Sequence, residues 1–163
     1  MSSKIVFIQT GGTIDKDYPR SSGGWAFEFG EPATQRLLPK LNPSFELEVL
    51  TAFQKDSLEV TNEDRKGLAE LINTHPANQF IITHGTDTLL ETATYLAKAC
   101  SQKSIVVTGA MRPERFSNSD APINWGMAIA TVQLIKQACY VCMHGVTKPY
   151  NMLKRNSDTG QFY

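Results

Sequence analysis

Lys4-Ile-Val-Phe-Ile-Gln9 runs directly into Thr10-Gly11-Gly12-Thr13. The first six residues are apolar and rich in β-branched side chains, too short for a helix and without polar alternation. They read as a strand buried on both faces that ends in a glycine turn. The same signature recurs downstream. Phe80-Ile-Ile-Thr83 leads into His84-Gly85-Thr86-Asp87, and Ile105 to Thr108 leads into Gly109-Ala-Met-Arg-Pro113. Phe45 to Phe53 and Tyr140 to Met143 complete five strand candidates. Between them lie helical patterns. Thr61 can cap a helix with Asp64 three residues on, with Leu68, Leu71 and Ile72 on its apolar face. Leu89, Leu90, Ala93, Leu96 and Ala97 mark another, and residues 123–138 a third. Continuous apolar strands alternating with amphipathic helices predict a three-layer α/β/α fold around a mainly parallel sheet, Rossmann- or flavodoxin-like. Ligands in such folds bind beyond the carboxyl ends of the strands, where these Gly, Thr and Asp clusters fall.

The chain has 163 residues, a size that suits one domain spanning 1–163. Sixteen basic side chains balance sixteen acidic ones, which argues against a general attraction to nucleic acid or anionic lipid. No apolar run approaches the ~20 residues of a membrane span, and no secretory leader precedes Lys4, so the expected compartment is the cytoplasm. Cys100, Cys139 and Cys142 form no disulfide pattern and read as reduced thiols. The pair Cys139 and Cys142 fits C-x-x-C, but it sits where a helix enters a strand, with its members on opposite faces, and so reads as inert. Residues 15–32 are polar and irregular, yet carry Tyr18, Trp25, Phe27 and Phe29. A loop of that length and composition is expected to act as a mobile lid. The stretch from Pro149 to Tyr163 reads as a polar, irregular tail.

Taken singly, the glycine turns are ambiguous. Thr10 to Thr13 matches neither a dinucleotide fingerprint nor a phosphate loop, and Thr86 or Asp87 could serve only to cap the following helix. His84 reads as structural, because nothing near it in sequence completes a triad. Together, however, Ile8 to Asp15, Thr83 to Ala93 and Val107 to Pro113, in this order and each at a strand end, resemble the L-asparaginase family of threonine amidohydrolases.

That resemblance implies attack by a threonine hydroxyl on the side-chain amide of L-asparagine, with release of ammonia and no metal or organic cofactor. It makes Thr13 the nucleophile and Tyr18 its hydrogen-bond partner. It makes Thr86, Asp87 and Lys154 a second catalytic set, with Arg155 and Lys148 as competing basic residues. Gly12, Ser57, Gly85, Thr86, Asp87 and Ala110 would bind substrate: Ser57 through its α-carboxylate, Ala110 through a carbonyl on the leaving amide. Leu58 stands where the family has a substrate-binding glutamine. Relatives carry a second domain, from which a neighbouring subunit contributes an acid to the site, so a homodimer or higher homo-oligomer is expected. The tail aromatics Phe162 and Tyr163 are candidates for that contact. The alternatives are the amidohydrolase subunit of a tRNA-dependent amidotransferase, and a non-catalytic asparagine- or aspartate-binding module.

Overall fold

The computed structural model describes residues 3–20, 24 and 26–163. Trp25, one of the expected lid aromatics, lies outside them. Strand β1 (Lys4–Gly11) is central, with β4 (Glu46–Lys55) on one side and β5 (Gln79–Thr83), β6 (Ser104–Thr108) and β7 (Cys139–Met143) in order on the other. All four of these pairings are parallel. Strand β8 (Val146–Pro149) closes the far edge antiparallel to β7. A ribbon of β2 (Lys16–Asp17) and β3 (Glu28–Phe29) stands apart from the sheet.

Four helices cover the two faces: α1 (Ala33–Leu41), α2 (Asn62–Thr74), α3 (Leu89–Ala99) and α4 (Ala121–Leu134). The pleat sends alternate side chains to opposite layers. Val6, Ile8, Phe80, Ile82, Val107 and Val141 pack under α2 and α3. Ile5, Phe7, Ile81 and Val106 pack under α1 and α4. The sandwich is therefore the expected three-layer α/β/α fold. Cys139 joins the first layer and Cys142 the second, as the strand reading requires, and all three cysteines are free and buried. Burial pushes the Cys139 thiol up to about 12 and that of Cys100 up to about 11, so neither is a thiolate near neutrality.

Several boundaries differ from expectation. Helix α4 occupies Ala121–Leu134 rather than 123–138. Pro122 fits its first turn, where no backbone donor is needed, and Ile135 turns extended before Gln137 takes a left-handed φ of 47°. Helix α1 escapes the sequence pattern because Pro32 precedes it and Pro39 sits in its last turn. Strand β8 follows a two-residue turn, His144-Gly145, with φ of 51° and 75°. Two positive φ values match the type I′ hairpin that suits strand twist. Phe162, expected at an exposed end, is buried at 1 % exposure among α3- and β7-side residues, which removes it as an interface candidate; Tyr163 stays exposed.

The capping box on α2 forms as read. Thr61 Oγ1 accepts the Asp64 N–H at 3.2 Å and Asp64 Oδ2 accepts the Thr61 N–H at 2.8 Å.

The turns at the carboxyl edge are closer than any side chain would allow. A Cβ on Gly12 would sit 2.4 Å from the Gly85 nitrogen, and the Gly12 φ is +81°. We expect Gly12→Ala to lower the free energy of unfolding in urea by about 3 kcal/mol or more, through overlap and backbone strain together. Gly67 and Gly126 lie inside helices with nothing within 4 Å of an added Cβ. Alanine at either should stabilise by about 0.5–1 kcal/mol.

Candidate active site

The turn after β1 places Gly12 and Thr13, the turn after β5 places Gly85, Thr86 and Asp87, and the turn after β6 places Ala110. Added Cβ atoms show how tightly these turns pack. One on Gly85 would lie 2.7 Å from Ser57 Cβ, and one on Gly109 would lie 2.3 Å from the His84 carbonyl oxygen. The structure thus gathers Gly12, Ser57, Gly85 and the neighbours of Ala110 at one edge. Among the described residues, no hydrogen bond engages the Thr13 or the Thr86 hydroxyl.

Ser57 is buried at 4 % exposure. Its Oγ accepts the N–H groups of Asp87 at 3.0 Å and Thr88 at 3.4 Å, while the Thr88 hydroxyl donates to the Ser57 carbonyl at 2.6 Å. The cap residue of α3, Thr88, makes no side-chain cap bond of its own. Ser57 therefore supplies from another segment the acceptor that the helix start needs. Thr86 and Asp87 do not cap the helix, which leaves their side chains for other uses. The Ser57 hydroxyl proton is left to donate.

His84 is fully buried. Its Nδ1 donates to the Gly85 carbonyl at 2.7 Å, and its Nε2 accepts from the Thr92 hydroxyl, whose oxygen takes the Arg65 Nε–H at 2.9 Å. Burial lowers its pKa to about 4, with the nearby Arg65 charge acting in the same direction. It is a neutral strut under the turn, as expected.

Tyr18 is not brought to Thr13. Its ring is 66 % exposed and packs on Phe27 at 5.3 Å and on Phe116 at 5.7 Å, the latter two meeting at 5.6 Å. At the base of the segment that carries it, β2 and β3 pair and the Gly30 N–H donates to the Asp15 carbonyl at 2.9 Å.

Lys154 is exposed, and its Nζ has no hydrogen-bond or ion-pair partner among the described residues. Arg155 reaches the site instead. Its Nη1 donates to the Thr86 carbonyl at 2.9 Å and lies 3.5 Å from Asp87 Oδ1.

Sequence reasoning missed Asp15 as a site neighbour. It is 1 % exposed, two residues past Thr13, and its Oδ1 accepts the Ala33 N–H at the start of α1 at 2.8 Å. Its Oδ2 has no partner among the described residues. Burial raises its pKa to about 6 despite the Ala33 bond and the Arg36 charge. Glu114 is also nearly buried, paired to Arg36 at 2.6 Å, and its N–H donates to the Ile14 carbonyl at 3.2 Å. That bond ties the third turn to the first. Among the described residues, no cluster of three His, Cys, Asp or Glu side chains could hold a metal ion, and no helix is long and apolar enough to cross a membrane. A cleft of about 820 Å³, lined in part by Lys4, Asn78, Gln102 and Gln137, opens at the opposite, amino edge of the sheet.

The mainly parallel sheet, with two threonine-bearing glycine turns at its carboxyl edge, defines an open-sheet α/β protein. Residues 4–161 match the family model described as "Asparaginase, N-terminal", and the chain belongs to that family. The glutaminase-asparaginase of Acinetobacter glutaminasificans is 30% identical over 136 residues, covering 78% of this chain and 41% of that protein. The thermostable L-asparaginase from Thermococcus kodakarensis superposes with a TM-score of 0.79 at 23% identity, over 98% of this chain and 50% of that one. The probable cytoplasmic L-asparaginase from Campylobacter jejuni gives 0.75 at 25% identity, over 94% and 49%. The chain thus spans about half the length of these relatives or less.

Asp15 and His84 push stability in opposite directions with pH. Between about pH 4 and 6 the folded chain holds a proton on Asp15 that the unfolded chain has released, so this contribution declines as pH rises through that window. His84 stays neutral in the fold down to about 4 but charges below about 6.5 when unfolded, so its contribution declines as pH falls. We expect Asp15→Asn to raise stability at pH 7 by about 1–2 kcal/mol. Its urea midpoint should then fall from pH 6.5 to 4, more steeply than that of the parent chain.

Proposed function

We propose that this site hydrolyses the side-chain amide of L-asparagine to L-aspartate and ammonia. The observation that carries the reading is the contact of Gly12 with Gly85, which sets the next residues, Thr13 and Thr86, on adjoining turns with hydroxyls free of described partners. In this reading Thr13 Oγ bonds to the amide carbon as its hydroxyl proton passes to a neighbouring water, and the carbonyl π pair moves to oxygen. Backbone N–H groups of the two turns are the natural donors for that oxyanion. The carbonyl then re-forms and the C–N bond breaks as the amide nitrogen takes the proton released from Thr13 and leaves as ammonia. Water cleaves the resulting ester. Ser57 donates to the α-carboxylate, Asp87 receives the α-ammonium, and the Ala110 carbonyl orients the leaving amide. Tyr18, stacked on Phe116, would have to leave that ring to bond with the Thr13 hydroxyl. This chemistry calls for a nucleophile, proton carriers and an oxyanion site, and for no metal or organic cofactor.

Ammonia release from asparagine and glutamine, measured side by side on the purified chain, tests the reading. Thr13→Ala should fold and lose at least about 10³-fold in kcat, with Thr86→Val similarly severe and Tyr18→Phe reducing kcat more than KM. A chain that binds aspartate but releases no ammonia would instead be a binding module. The exposed position of Tyr18 favours that second reading.

We also propose a homodimer in the cytoplasm, since closed two-fold pairs are the commonest soluble assemblies and the three thiols are unpaired. Light scattering at assay concentration should give twice 18.1 kDa. A fully active monomer would show that one chain closes its own site.

A further inference from the structure

We propose that Asp15 is a positioning residue for Thr13: its carboxylate caps helix α1 from the turn that carries the nucleophile, and so fixes that turn to the far end of the segment that follows it. The proposal rests on the amidohydrolase reading above.

Upstream of Thr13 the chain is soft. Gly11 and Gly12 hold positive φ, +98° and +81°, and neither has a side chain to lodge. Downstream the chain is tied on three sides. Thr13–Asp15 forms one 3-10 turn, with the Asp15 N–H on the Gly12 carbonyl at 3.2 Å. Ile14 is fully buried, and its carbonyl accepts the Glu114 N–H at 3.2 Å. Asp15 makes two bonds to one short stretch. Its backbone carbonyl accepts the Gly30 N–H at 2.9 Å, and its Oδ1 accepts the Ala33 N–H at 2.8 Å. Helix α1 needs that second bond, because its N-cap residue, Pro32, makes no side-chain cap bond. A carboxylate at a helix start also meets the positive end of the helix dipole. Arg36, in the first turn of α1, completes the tie: Nη1 donates to the Glu31 carbonyl at 3.0 Å and Nε to Glu114 Oε2 at 2.6 Å.

Stability alone is a poor account of this side chain. Asp15 is 1 % exposed, its Oδ2 has no partner among the described residues, and burial works against the charged form. What Asp15 supplies is an acceptor at a fixed place, so that the turn bearing Thr13 shares its position with the start of α1. Ser57 does the same for α3, and both helix starts beside the site are thus capped from a neighbouring segment. The Ala33 bond asks for an oxygen at Oδ1 and not for a charge, since Oδ2 can carry a proton while Oδ1 accepts. The charged groups that act on the carboxyl are Arg36 of α1 and Glu114 of the turn after β6. Lys16 and Asp17 of β2 pair elsewhere, with Asp56 and Arg115, and Glu28 of β3 accepts the Arg20 N–H.

The test measures kcat and KM for asparagine, with the urea midpoint, in the parent chain and in Asp15→Ala, Asp15→Asn and Ala33→Pro. Asp15→Ala should lose at least about tenfold in kcat with KM within about threefold, because a misplacement of about 1 Å at a reacting group costs up to about 10² in rate. Asp15→Asn keeps the acceptor and should stay within about threefold of the parent. Its ratio to the parent should be flat from pH 5 to 7.5, although the parent carboxyl titrates at about 6. Ala33→Pro removes only the donor, at a first helical position that suits proline, and reads the same bond if Asp15→Ala does not fold. It should match Asp15→Ala, and the double variant should be worse than either by no more than about twofold. Parental kcat in Asp15→Ala would overturn the proposal. So would an Asp15→Asn as damaged as Asp15→Ala, a ratio that shifts more than threefold with pH, or additive losses in the double variant. If the parent chain releases no ammonia, the amidohydrolase reading fails separately. Amide exchange at residues 13–16 then decides: Asp15→Ala should speed it at least tenfold, Asp15→Asn should leave it within twofold, and equal exchange in all three chains would sink the proposal.

Discussion

The α-carbon of Gly12 lies against the Gly85 backbone, and the whole carboxyl edge of the sheet is arranged around that contact. Strands in a ladder stand about 4.8 Å apart, too far for their following turns to touch unless both lean together and neither carries a side chain. Gly12 and Gly85 meet both conditions, and Gly109 repeats the arrangement against the His84 carbonyl. Strand order explains why the contact falls here. From β1 the chain moves outward to β4, and from β5 it moves the other way to β6. The crevice between β1 and β5 is thus the point where the winding reverses, the usual ligand position in open α/β sheets. The close approach removes side-chain bulk at that point.

Below this edge the sheet changes character. In register across five strands, Thr51, Gln9, Thr83, Thr108 and Cys142 replace the aliphatic row beneath them. The hydroxyls of Thr10 and Thr108 donate across to the carbonyls of Thr83 and Cys142 at 2.8 and 2.7 Å, clipping neighbouring strands together where the ladder runs out. Gln9 Nε2 and Thr83 Oγ1, adjacent in that row, have no partner among the described residues. A buried polar atom left unpaired costs about 1–3 kcal/mol. Among the described residues three of the six atoms of this kind, Gln9 Nε2, Thr83 Oγ1 and Asp15 Oδ2, lie towards the carboxyl edge, whereas Gln79 Oε1 lies at the amino end of β5 and Trp125 Nε1 within α4.

The five parallel strands and the glycine turns that follow β1, β5 and β6 were legible because the relevant signal is local: an apolar run, then glycine. The Thr61 capping box was legible for the same reason. Helix α1 was not, since Pro32 and Pro39 normally argue against a helix and are tolerated only at its two ends. Strand β8 was not, since His144 had to adopt a left-handed φ that sequence does not announce. Phe162 was read as an exposed terminus because its burial depends on a fold-back onto His144, a contact 18 residues away in the chain. Asp15 was overlooked because an acid after a glycine turn looks solvated until α1, itself unseen, is laid over it.

The orientation of Lys154 and Arg155 shows the same limit at the level of single side chains. Two adjacent basic residues are equivalent to any motif, and extended backbone turns them to opposite sides. The pairing partner decides which faces inward, and that partner, Phe162, lies seven positions later. Once the tail folds back, the aromatic face, the Gly160 carbonyl and the Thr86 carbonyl together fit a planar fork of donors better than a single ammonium, which could satisfy the carboxylate but would not also stack and span two carbonyls. The 3.5 Å contact between Arg155 and Asp87 thus depends on the pairing of Arg155 with Phe162, which no reading of either segment alone would supply.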